Sequence, residues 1–212
     1  MGLRIDLCSH ARSFMAWEKH RDPVVQEAYL LAHDYIAYVT GKSTGPAPSE
    51  ATLALRQAAD ELLEKFPIFF KRWPKVFSGV TEENACDFLI QIVDENFKQQ
   101  QERQRRQTGY AMELPWSMVL SVYVLAGQMA IYCQQHGMEH VLGPLAEKVG
   151  CYVEENVCPF IKEKDGWVGF NERFRRKDGL EKKVLKACCG LLLVSLALLL
   201  TCFLWRKKMA SS

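Results

Sequence analysis

Apolar residues recur every three or four positions along most of the chain. Between residues 23 and 39 they form one such stripe, with Asp22-Pro23 at its start and Gly41 just beyond its end. This spacing predicts a helix through about Val39, because Pro suits a first helical turn and Gly suits the residue after the last one. No stretch combines alternation of period two with the turn residues of a hairpin. The pattern therefore predicts an all-α fold.

The same spacing predicts further helices, separated by turn-forming residues. A short linker, Lys42–Ser49, precedes a helix from Glu50 to Phe66 that ends at Pro67. Short helical turns follow, broken by Pro74, and Thr81 then caps a longer helix. The turns lie around Phe69, Phe70 and Phe77, and the longer helix is expected to bury Phe88, Ile92, Val93 and Phe97.

An uncharged run from Leu114 to Met138 is the most apolar part of the first 170 residues. Pro115 suits its first helical position, and Gly137 separates it from a partner helix running from about Met138 to Val157. A helix that is apolar nearly all round but diluted by Ser and Gln is typical of the buried centre of an all-α domain. We therefore expect seven or eight helices, two of them central. The alternative is a hairpin that is buried in solution and enters a membrane later.

The C-terminal part of the chain carries a second uncharged run, from Ala187 to Trp205. As a helix its residues span roughly 28 Å, close to the thickness of a bilayer core. Basic residues flank it on both sides, which predicts one C-terminal transmembrane helix that acts as a tail anchor. The chain then divides into an N-terminal extension (1–23), a helical domain (24–178), a basic linker (179–186), the anchor (187–205) and a basic tail (206–212).

The charge distribution argues against nucleic-acid binding. The net charge is +2, but residues 171–186 hold seven Lys or Arg against three Asp or Glu, and residues 206–208 add three more bases. Residues 1–170 therefore carry a net charge of −5, whereas a nucleic-acid binder shows a basic patch on its folded body. The scattered cysteines form no CxxC pair, so we expect free thiols in a reducing compartment.

Catalytic and metal-binding patterns fail on inspection. Gly41-Lys42-Ser43 resembles the end of a phosphate-binding loop, but Ile36 stands where that loop needs an earlier Gly. His136 and His140 have the spacing of metal ligands on a helix, yet Gly137 between them breaks it. No metalloprotease, hydrolase or calcium-loop motif occurs. We expect no enzyme activity, no metal and no cofactor.

The helix predicted from Glu50 to Phe66 has one apolar face suited to a hydrophobic groove, either its own domain's or a partner's. Arg56 falls outside this face and Asp60 stands at its edge. The helix resembles the third homology motif of the Bcl-2 family, in which a Leu is followed by a small residue, an Asp and a second apolar residue. The residues at the matching and neighbouring places are Leu55, Ala58, Ala59, Asp60 and Leu62.

Two further segments are similar to Bcl-2 family motifs, in the family's order. Residues 159–170 resemble the second homology motif, and residues 114–129 resemble the first, whose centre is Asn-Trp-Gly-Arg. The matching residues are Phe160, Gly166, Trp167 and Phe170 in the second motif and Trp116 and Gly127 in the first. With the tail anchor, the resemblance spans residues 24–208. The short linker before the third motif is similar to the branch typified by Diva and Boo.

The resemblance implies a Bcl-2-like helical bundle that regulates apoptosis and binds amphipathic helices of other family members in a hydrophobic groove. It implies a groove lined by Phe88, Val119, Val122 and Tyr123, with Trp116 and Trp167 as structural anchors. The resemblance also allows a homodimer or a heterodimer that forms through such an amphipathic helix. The first helix and the short linker favour the survival-promoting side of the family.

One departure from the family pattern bears on mechanism. Met118 stands where the first motif has an Arg that pairs with the Asp of a bound helix. Removing one member of such a pair costs about 2–5 kcal/mol of binding free energy. We therefore expect either weak binding of partner helices or a substitute cation. By sequence proximity the candidates are Arg103, Arg105 and Arg106.

Two other functions remain open. One is a Bak- or Bok-like pore former that dimerises through the helix of Asp60 and inserts its central helix. The other is a non-apoptotic adaptor that influences organelle calcium flux, which the absent Arg favours. The flanking bases of the anchor indicate the mitochondrial outer membrane, with the domain facing the cytosol, and the endoplasmic reticulum is the alternative. Cys188 and Cys189 lie at the cytosolic end of the anchor, where palmitoylation is an option.

Overall fold

The computed structural model describes residues 22–108 and 115–175. The predicted N-terminal extension apart from its last two residues, the basic linker, the anchor with Cys188 and Cys189, and the basic tail lie outside the described residues. The described part forms nine α-helices and one short 3-10 helix, and it contains no strand. The helices are α1 (Pro23–Val39), α2 (Glu50–Lys65), α3 (Pro67–Phe70), α4 (Trp73–Val76), α5 (Ala85–Thr108), α6 (Trp116–Gln135), α7 (Leu142–Asn156), α8 (Cys158–Glu163) and α9 (Val168–Phe174).

Helix α6 is the centre of the bundle, as its apolar pattern predicts. Fifteen of its 20 residues are buried, and 83% of its most apolar 18-residue window lies inside the protein. Among the described residues it is the helix long and apolar enough to cross a membrane, a test that buried core helices also pass. Helices α1, α2, α5 and α7 pack around it. Tyr123 of α6 donates a hydrogen bond of 3.1 Å to the carbonyl oxygen of Ala28 in α1.

The helix ends mostly follow the predicted boundaries. The Asp22 side chain caps α1 through the backbone nitrogen of Val24 at 2.9 Å, and Gly41 follows the helix with a φ of 69°. Ser49 and Thr52 exchange side-chain to backbone hydrogen bonds at the start of α2. This capping box satisfies backbone donors that the first turn of a helix leaves unpaired. The α2 helix ends one residue earlier than predicted, at Lys65.

Three predicted boundaries are wrong. Pro74 does not break the helical turns, because it lies in the first turn of α4, where its missing N–H costs no hydrogen bond. Residues 82–84 form a turn after Thr81, and α5 begins at Ala85, so Thr81 precedes this helix by four residues. Pro115 occupies the N-cap position before α6, and Trp116 is the first helical residue, so the helix begins one residue later than predicted.

The cysteines and histidines of the described part agree with the sequence analysis. Cys86, Cys133, Cys151 and Cys158 are free thiols. Helix α6 ends at Gln135, and Gly137 has a φ of 77°, which separates His136 from His140. The partner helix begins with the 3-10 turn Glu139–Val141 and continues as α7.

Candidate functional site

An apolar crevice lies between α6 and the three consecutive helices α2, α3 and α4. Its lining residues are Leu62, Phe70, Trp73, Ser121, Val124, Leu125 and Gln128. The α6 side of the crevice is a stripe with helical spacing, since Ser121, Val124, Leu125 and Gln128 fall at i, i+3, i+4 and i+7. On the opposite side, the aromatic rings of Phe70 and Trp73 come from two helices of only four residues each.

The crevice is closed in this structure. Its free volume is about 10 Å³, which is close to the space that one water molecule needs. Phe70 and Trp73 are 8% and 2% exposed, so they fill the crevice from the α3–α4 side. A ligand helix therefore requires these two rings, and the short helices that carry them, to move away from α6.

The crevice differs from the groove expected from the sequence. Val119, Val122 and Tyr123 are at most 2% exposed and belong to the buried core, and Phe88 is half-buried on α5. The stripe from Ser121 to Gln128 was not among the residues predicted to line the groove. Helix α6 is apolar nearly all round, so its pattern does not reveal which stripe faces the crevice. The two polar residues within it, Ser121 and Gln128, were the available signal.

The third-motif helix, α2, packs its apolar face on its own domain. Leu55, Ala58, Ala59 and Leu62 are buried, each 7% exposed or less. Asp60 is on the exposed side, where its carboxylate accepts a hydrogen bond of 2.6 Å from the Tyr38 hydroxyl of α1. This bond raises the pKa of Tyr38 because it stabilises the protonated hydroxyl. The motif residues are thus engaged within the chain, and α2 must leave α1 before another protein can bind its buried face.

A buried ion pair fastens α2 to α1. Arg56 falls outside the apolar face of α2 in the sequence, yet it is buried, at 7% exposed. Its guanidinium contacts Asp34 of α1 through two hydrogen bonds, Nε to Oδ2 at 2.9 Å and Nη2 to Oδ1 at 2.5 Å. It also lies over the Tyr38 ring, 4.6 Å from the ring centre. A charge-assisted pair of this geometry offsets the cost of burying both ions.

The same guanidinium reaches the linker between α1 and α2. Nη1 donates to the carbonyl oxygen of Gly45 at 3.1 Å, and Nη2 approaches the Ser43 hydroxyl at 3.4 Å. Arg56 therefore joins three consecutive segments of the chain: α1, the linker and the motif helix. Arg56 directly follows the motif residue Leu55, and the preceding helix contains Asp34. This possible pair of opposite charges was the sequence signal for the buried ion pair.

Met118 does not offer a charge to a ligand. Its side chain is 1% exposed in the first turns of α6. Of the cations considered as substitutes, Arg106 is 81% exposed and lies near Glu102 of its own helix at 3.5 Å. The side chains of Arg103 and Arg105 lie outside the described residues. The described part of the crevice lining contains no basic side chain.

The first and second motifs meet in an aromatic cluster at one end of the bundle. The ring of Trp116 contacts those of Phe160 and Phe170 at centroid distances of 5.2 and 6.0 Å. Trp167 packs on Phe170 at 5.6 Å, and its indole nitrogen donates to the carbonyl oxygen of Val24 at 2.9 Å. Gly166, with a φ of 73°, makes the turn that places Trp167 before α9. These motif residues support the fold and lie apart from the crevice lining.

Gly127 is required by close packing between α1 and α6. A Cβ atom at this position would lie 2.5 Å from a ring carbon of Tyr35, whereas a Cβ at Gly143 of α7 would have no neighbour within 4 Å. Tyr35 is fully buried, so its ring has little room to move. The glycine of the first motif therefore allows α1 to approach the central helix.

We expect Gly127→Ala to destabilise the domain by about 1–3 kcal/mol, because the added methyl group overpacks the core. Gly143→Ala, the matched control, should be neutral or stabilising by up to about 1 kcal/mol, since alanine favours a helix. Urea unfolding followed by circular dichroism measures both values. Equal stability of the two variants would contradict the close approach.

A second cavity of about 290 Å³ opens where the first turns of α1, α2 and α9 meet. Glu27 lies in its wall and accepts a short hydrogen bond from the Ser49 hydroxyl. Burial raises the pKa of the Glu27 carboxyl. The cavity is wide and shallow, and Glu27 already serves as a partner of the α2 cap, so we assign it a structural role.

One known protein family matches more than half of the chain. The family described as "Apoptosis regulator proteins, Bcl-2 family" matches residues 55–167, from the third motif to the second. Among curated proteins, the "Anti-apoptotic protein NR13" of Gallus gallus is 27% identical over 151 residues, which are 71% of this chain and 77% of that protein.

Solved structures share the fold. The zebrafish pro-survival protein NRZ in complex with the Bad BH3 segment aligns with a TM-score of 0.59 and 24% identity, covering 71% of this chain and 94% of that one. Trichoplax adhaerens trBcl-2L2 bound to trBak BH3 aligns with a TM-score of 0.56 and 19% identity, covering 69% and 96%. At these identities the likeness establishes the helical architecture.

Proposed function

Since this chain belongs to the Bcl-2 family of apoptosis regulators, we propose that it acts by binding amphipathic helices of other family members in the crevice between α2–α4 and α6. The family consists of regulators rather than enzymes. The observation that carries the proposal is the crevice itself, an apolar cleft whose outer wall consists of two four-residue helices. The structural relatives named above, which were solved with BH3 segments bound, support the same conclusion.

Binding requires the crevice to open. The apolar side chains of the incoming helix would take the place of Phe70 and Trp73, which line the crevice together with Val124 and Leu125 of α6. The binding free energy is therefore only the difference between what burial of the ligand helix contributes and what the displaced contacts contributed. Short helices with few internal hydrogen bonds are the part of the domain best suited to such a movement.

The direction of the regulation is proposed to be survival-promoting. The proteins named NR13 and NRZ are described as anti-apoptotic and pro-survival, and the first spans 71% of this chain. A receptor whose own motif helix is held by Arg56, Asp34 and Tyr38 is suited to capture helices rather than to donate one.

The membrane location is part of the proposal. The uncharged run 187–205 would anchor the chain in the mitochondrial outer membrane, with the helical domain in the cytosol. The endoplasmic reticulum is the alternative. Alkaline extraction of isolated mitochondria and microsomes tests this location: an integral anchor leaves the chain in the pellet of one of the two fractions.

We expect the aspartate of a bound helix to contribute little to affinity. Met118 is buried and uncharged, so no cation at this position answers the ligand's carboxylate. Replacing the motif Asp with Ala in the Bad BH3 peptide should therefore change the dissociation constant by less than about fivefold, against about thirtyfold or more where a charged pair is broken. Fluorescence anisotropy of the labelled peptide, with the chain truncated after residue 186, measures the difference.

Met118→Arg is the matched variant. Because Met118 is buried, only variant protein that keeps the helical circular dichroism of the natural chain is used. In that protein the same Asp→Ala change in the peptide should cost about tenfold or more, and the double-mutant cycle gives this coupling. A large loss of affinity on the Asp→Ala change with the natural chain would mean that another cation of the chain pairs with the peptide's aspartate. Absence of binding by both proteins would contradict the crevice as a helix-binding site and favour the adaptor function.

A second candidate function, formation of a membrane pore, is favoured by one observation. Helix α6 is 20 residues long, carries no charged residue, and is apolar enough to cross a bilayer once released from the bundle. Release of a dye from vesicles by the chain truncated after residue 186 distinguishes the two candidates. A helix receptor leaves the vesicles intact, whereas a pore former releases the dye in proportion to its concentration.

A further inference from the structure

The exposed surface of α3, of α4 and of the turn between them is basic. It combines one exposed apolar side chain, Ile68, with Lys71, Arg72 and Lys75, and we call these four residues the basic corner. Ile68 is 73% exposed, and the three basic residues are exposed as well. Residues 65–81 contain no Asp or Glu, although residues 1–170 as a whole carry a net charge of −5.

The side chains of this segment divide into two faces. Phe70, Trp73, Val76 and Phe77 are buried against the bundle, each at most 8% exposed. The basic corner and the two prolines beside it point away from the bundle. The basic residues therefore face solvent, whereas Phe70 and Trp73 of the same segment line the crevice.

The charges of the basic corner are not neutralised by the rest of the described domain. Lys65, just before it, forms an ion pair of 3.2 Å with Glu61, but Lys71, Arg72 and Lys75 form no ion pair with a described residue. Three uncompensated cations beside a solvent-exposed isoleucine suit a partner that is both anionic and apolar. A membrane surface with acidic headgroups has both properties.

We propose that the basic corner lies on the anionic headgroups of the membrane that holds the chain, with Ile68 entering the interface. The inference rests on the proposed membrane location, which brings the domain next to such a surface. An acidic helix in the crevice explains the charges less well, because none of the three basic residues lines the crevice. Contact with the membrane would also hold α3 and α4, the outer wall of the crevice, against lipid.

The expected contribution of the charges is large enough to measure. Each Lys or Arg close to an anionic surface favours binding by about fivefold, so three of them favour the contact by on the order of a hundredfold. The attraction falls within a Debye length of the surface and weakens as salt is added. Neutralising all three should therefore abolish the contact without removing the chain from the membrane.

The test uses the full chain in vesicles of phosphatidylcholine with about a third phosphatidylserine, a content at which basic segments bind strongly. A photoreactive benzoylphenylalanine replaces Ile68, and cross-linked lipid is quantified after irradiation. Two exposed apolar positions elsewhere, Leu53 on α2 and Val168 on α9, carry the same group as controls; they are 47% and 57% exposed. Only chain that resists alkaline extraction is scored.

We expect lipid adducts at position 68 to exceed those at positions 53 and 168 by on the order of tenfold. The excess should disappear in pure phosphatidylcholine and in the variant K71Q/R72Q/K75Q. The matched variant K42Q/K98Q/K148Q, which loses the same net charge from exposed residues of the α1–α2 linker, α5 and α7, should retain the excess.

Two outcomes would overturn the proposal. One is equal labelling at the three positions in an integrated chain. The other is loss of BH3-peptide affinity in K71Q/R72Q/K75Q with lipid labelling unchanged, which would assign the basic corner to an acidic helix. If alkali extracts the chain, the proposed anchor is wrong, and flotation with the anionic vesicles then tests the inference by itself. Binding that requires Lys71, Arg72 and Lys75 would support the inference. Absence of binding would contradict it.

Discussion

Asp34→Ala will destabilise the helical domain by about 3–5 kcal/mol, the expected cost of leaving a buried charge without its partner. The Arg56 guanidinium would remain 7% exposed, with the linker contacts to Gly45 and Ser43 as its only remaining hydrogen bonds among the described residues. For a domain of this size such a loss lowers the melting temperature by roughly 10 °C. Thermal unfolding of the chain truncated after residue 186, followed by circular dichroism, measures the shift.

Two controls separate this effect from the mere loss of a salt bridge. The double variant Asp34→Ala/Arg56→Met removes both charges and should recover much of the lost stability, because no unpaired ion stays buried. Glu139→Ala breaks the exposed pair with Lys42, whose atoms are 2.8 Å apart, and should cost less than about 1 kcal/mol. Equal destabilisation by Asp34→Ala and Glu139→Ala would show that Arg56 is not desolvated.

Phe170→Ala is the second substitution with a large expected effect, about 3–5 kcal/mol of unfolding free energy. The Phe170 ring is fully buried among Trp116, Trp167 and Phe174, with centroid distances between 4.7 and 6.0 Å. Removing it leaves a cavity that these rigid rings cannot fill. Chemical unfolding in urea, with the slope compared between variants, gives the value.

Val168→Ala on the same helix is the control for this prediction. Its side chain is 57% exposed, and surface substitutions of this kind change stability by no more than about 0.5 kcal/mol. If Phe170→Ala proves as mild as Val168→Ala, the aromatic cluster does not hold α9 to the bundle. The second motif would then need another role.

The helical architecture could be predicted because local signals and packing agree. The capping residues Asp22 and Ser49 and the uncharged run of α6 each indicate the element that forms. Pro74 misled the prediction because a proline is read as a break, although it is equally suited to a first helical turn. The start of α5 was placed early because the turn after Thr81 also satisfies the rules for a helix cap.

The site was harder to predict than the fold, for two physical reasons. Helix α6 is apolar on all sides, so the stripe through Ser121 and Leu125 that faces the crevice depends on how α3 and α4 pack, which periodicity does not encode. The burial of Arg56 could not be predicted because a charge is buried only with a partner, and its partner Asp34 is 22 positions away. Pairings across helices of this kind leave little trace in a single sequence.

The contacts of Arg56 also determine where the linker between α1 and α2 tolerates extra residues. Ser43 and Gly45 are bound by its guanidinium, and Ser49 caps α2, so insertion at any of these points would break a contact. Residues 46–48 have no such bond among those described. The closure entropy of a loop grows slowly, by about 0.6 kcal/mol for each doubling of its length. A long insertion between Pro46 and Pro48 is therefore compatible with this bundle, and loop length can vary there without loss of the ion pair that joins the first two helices.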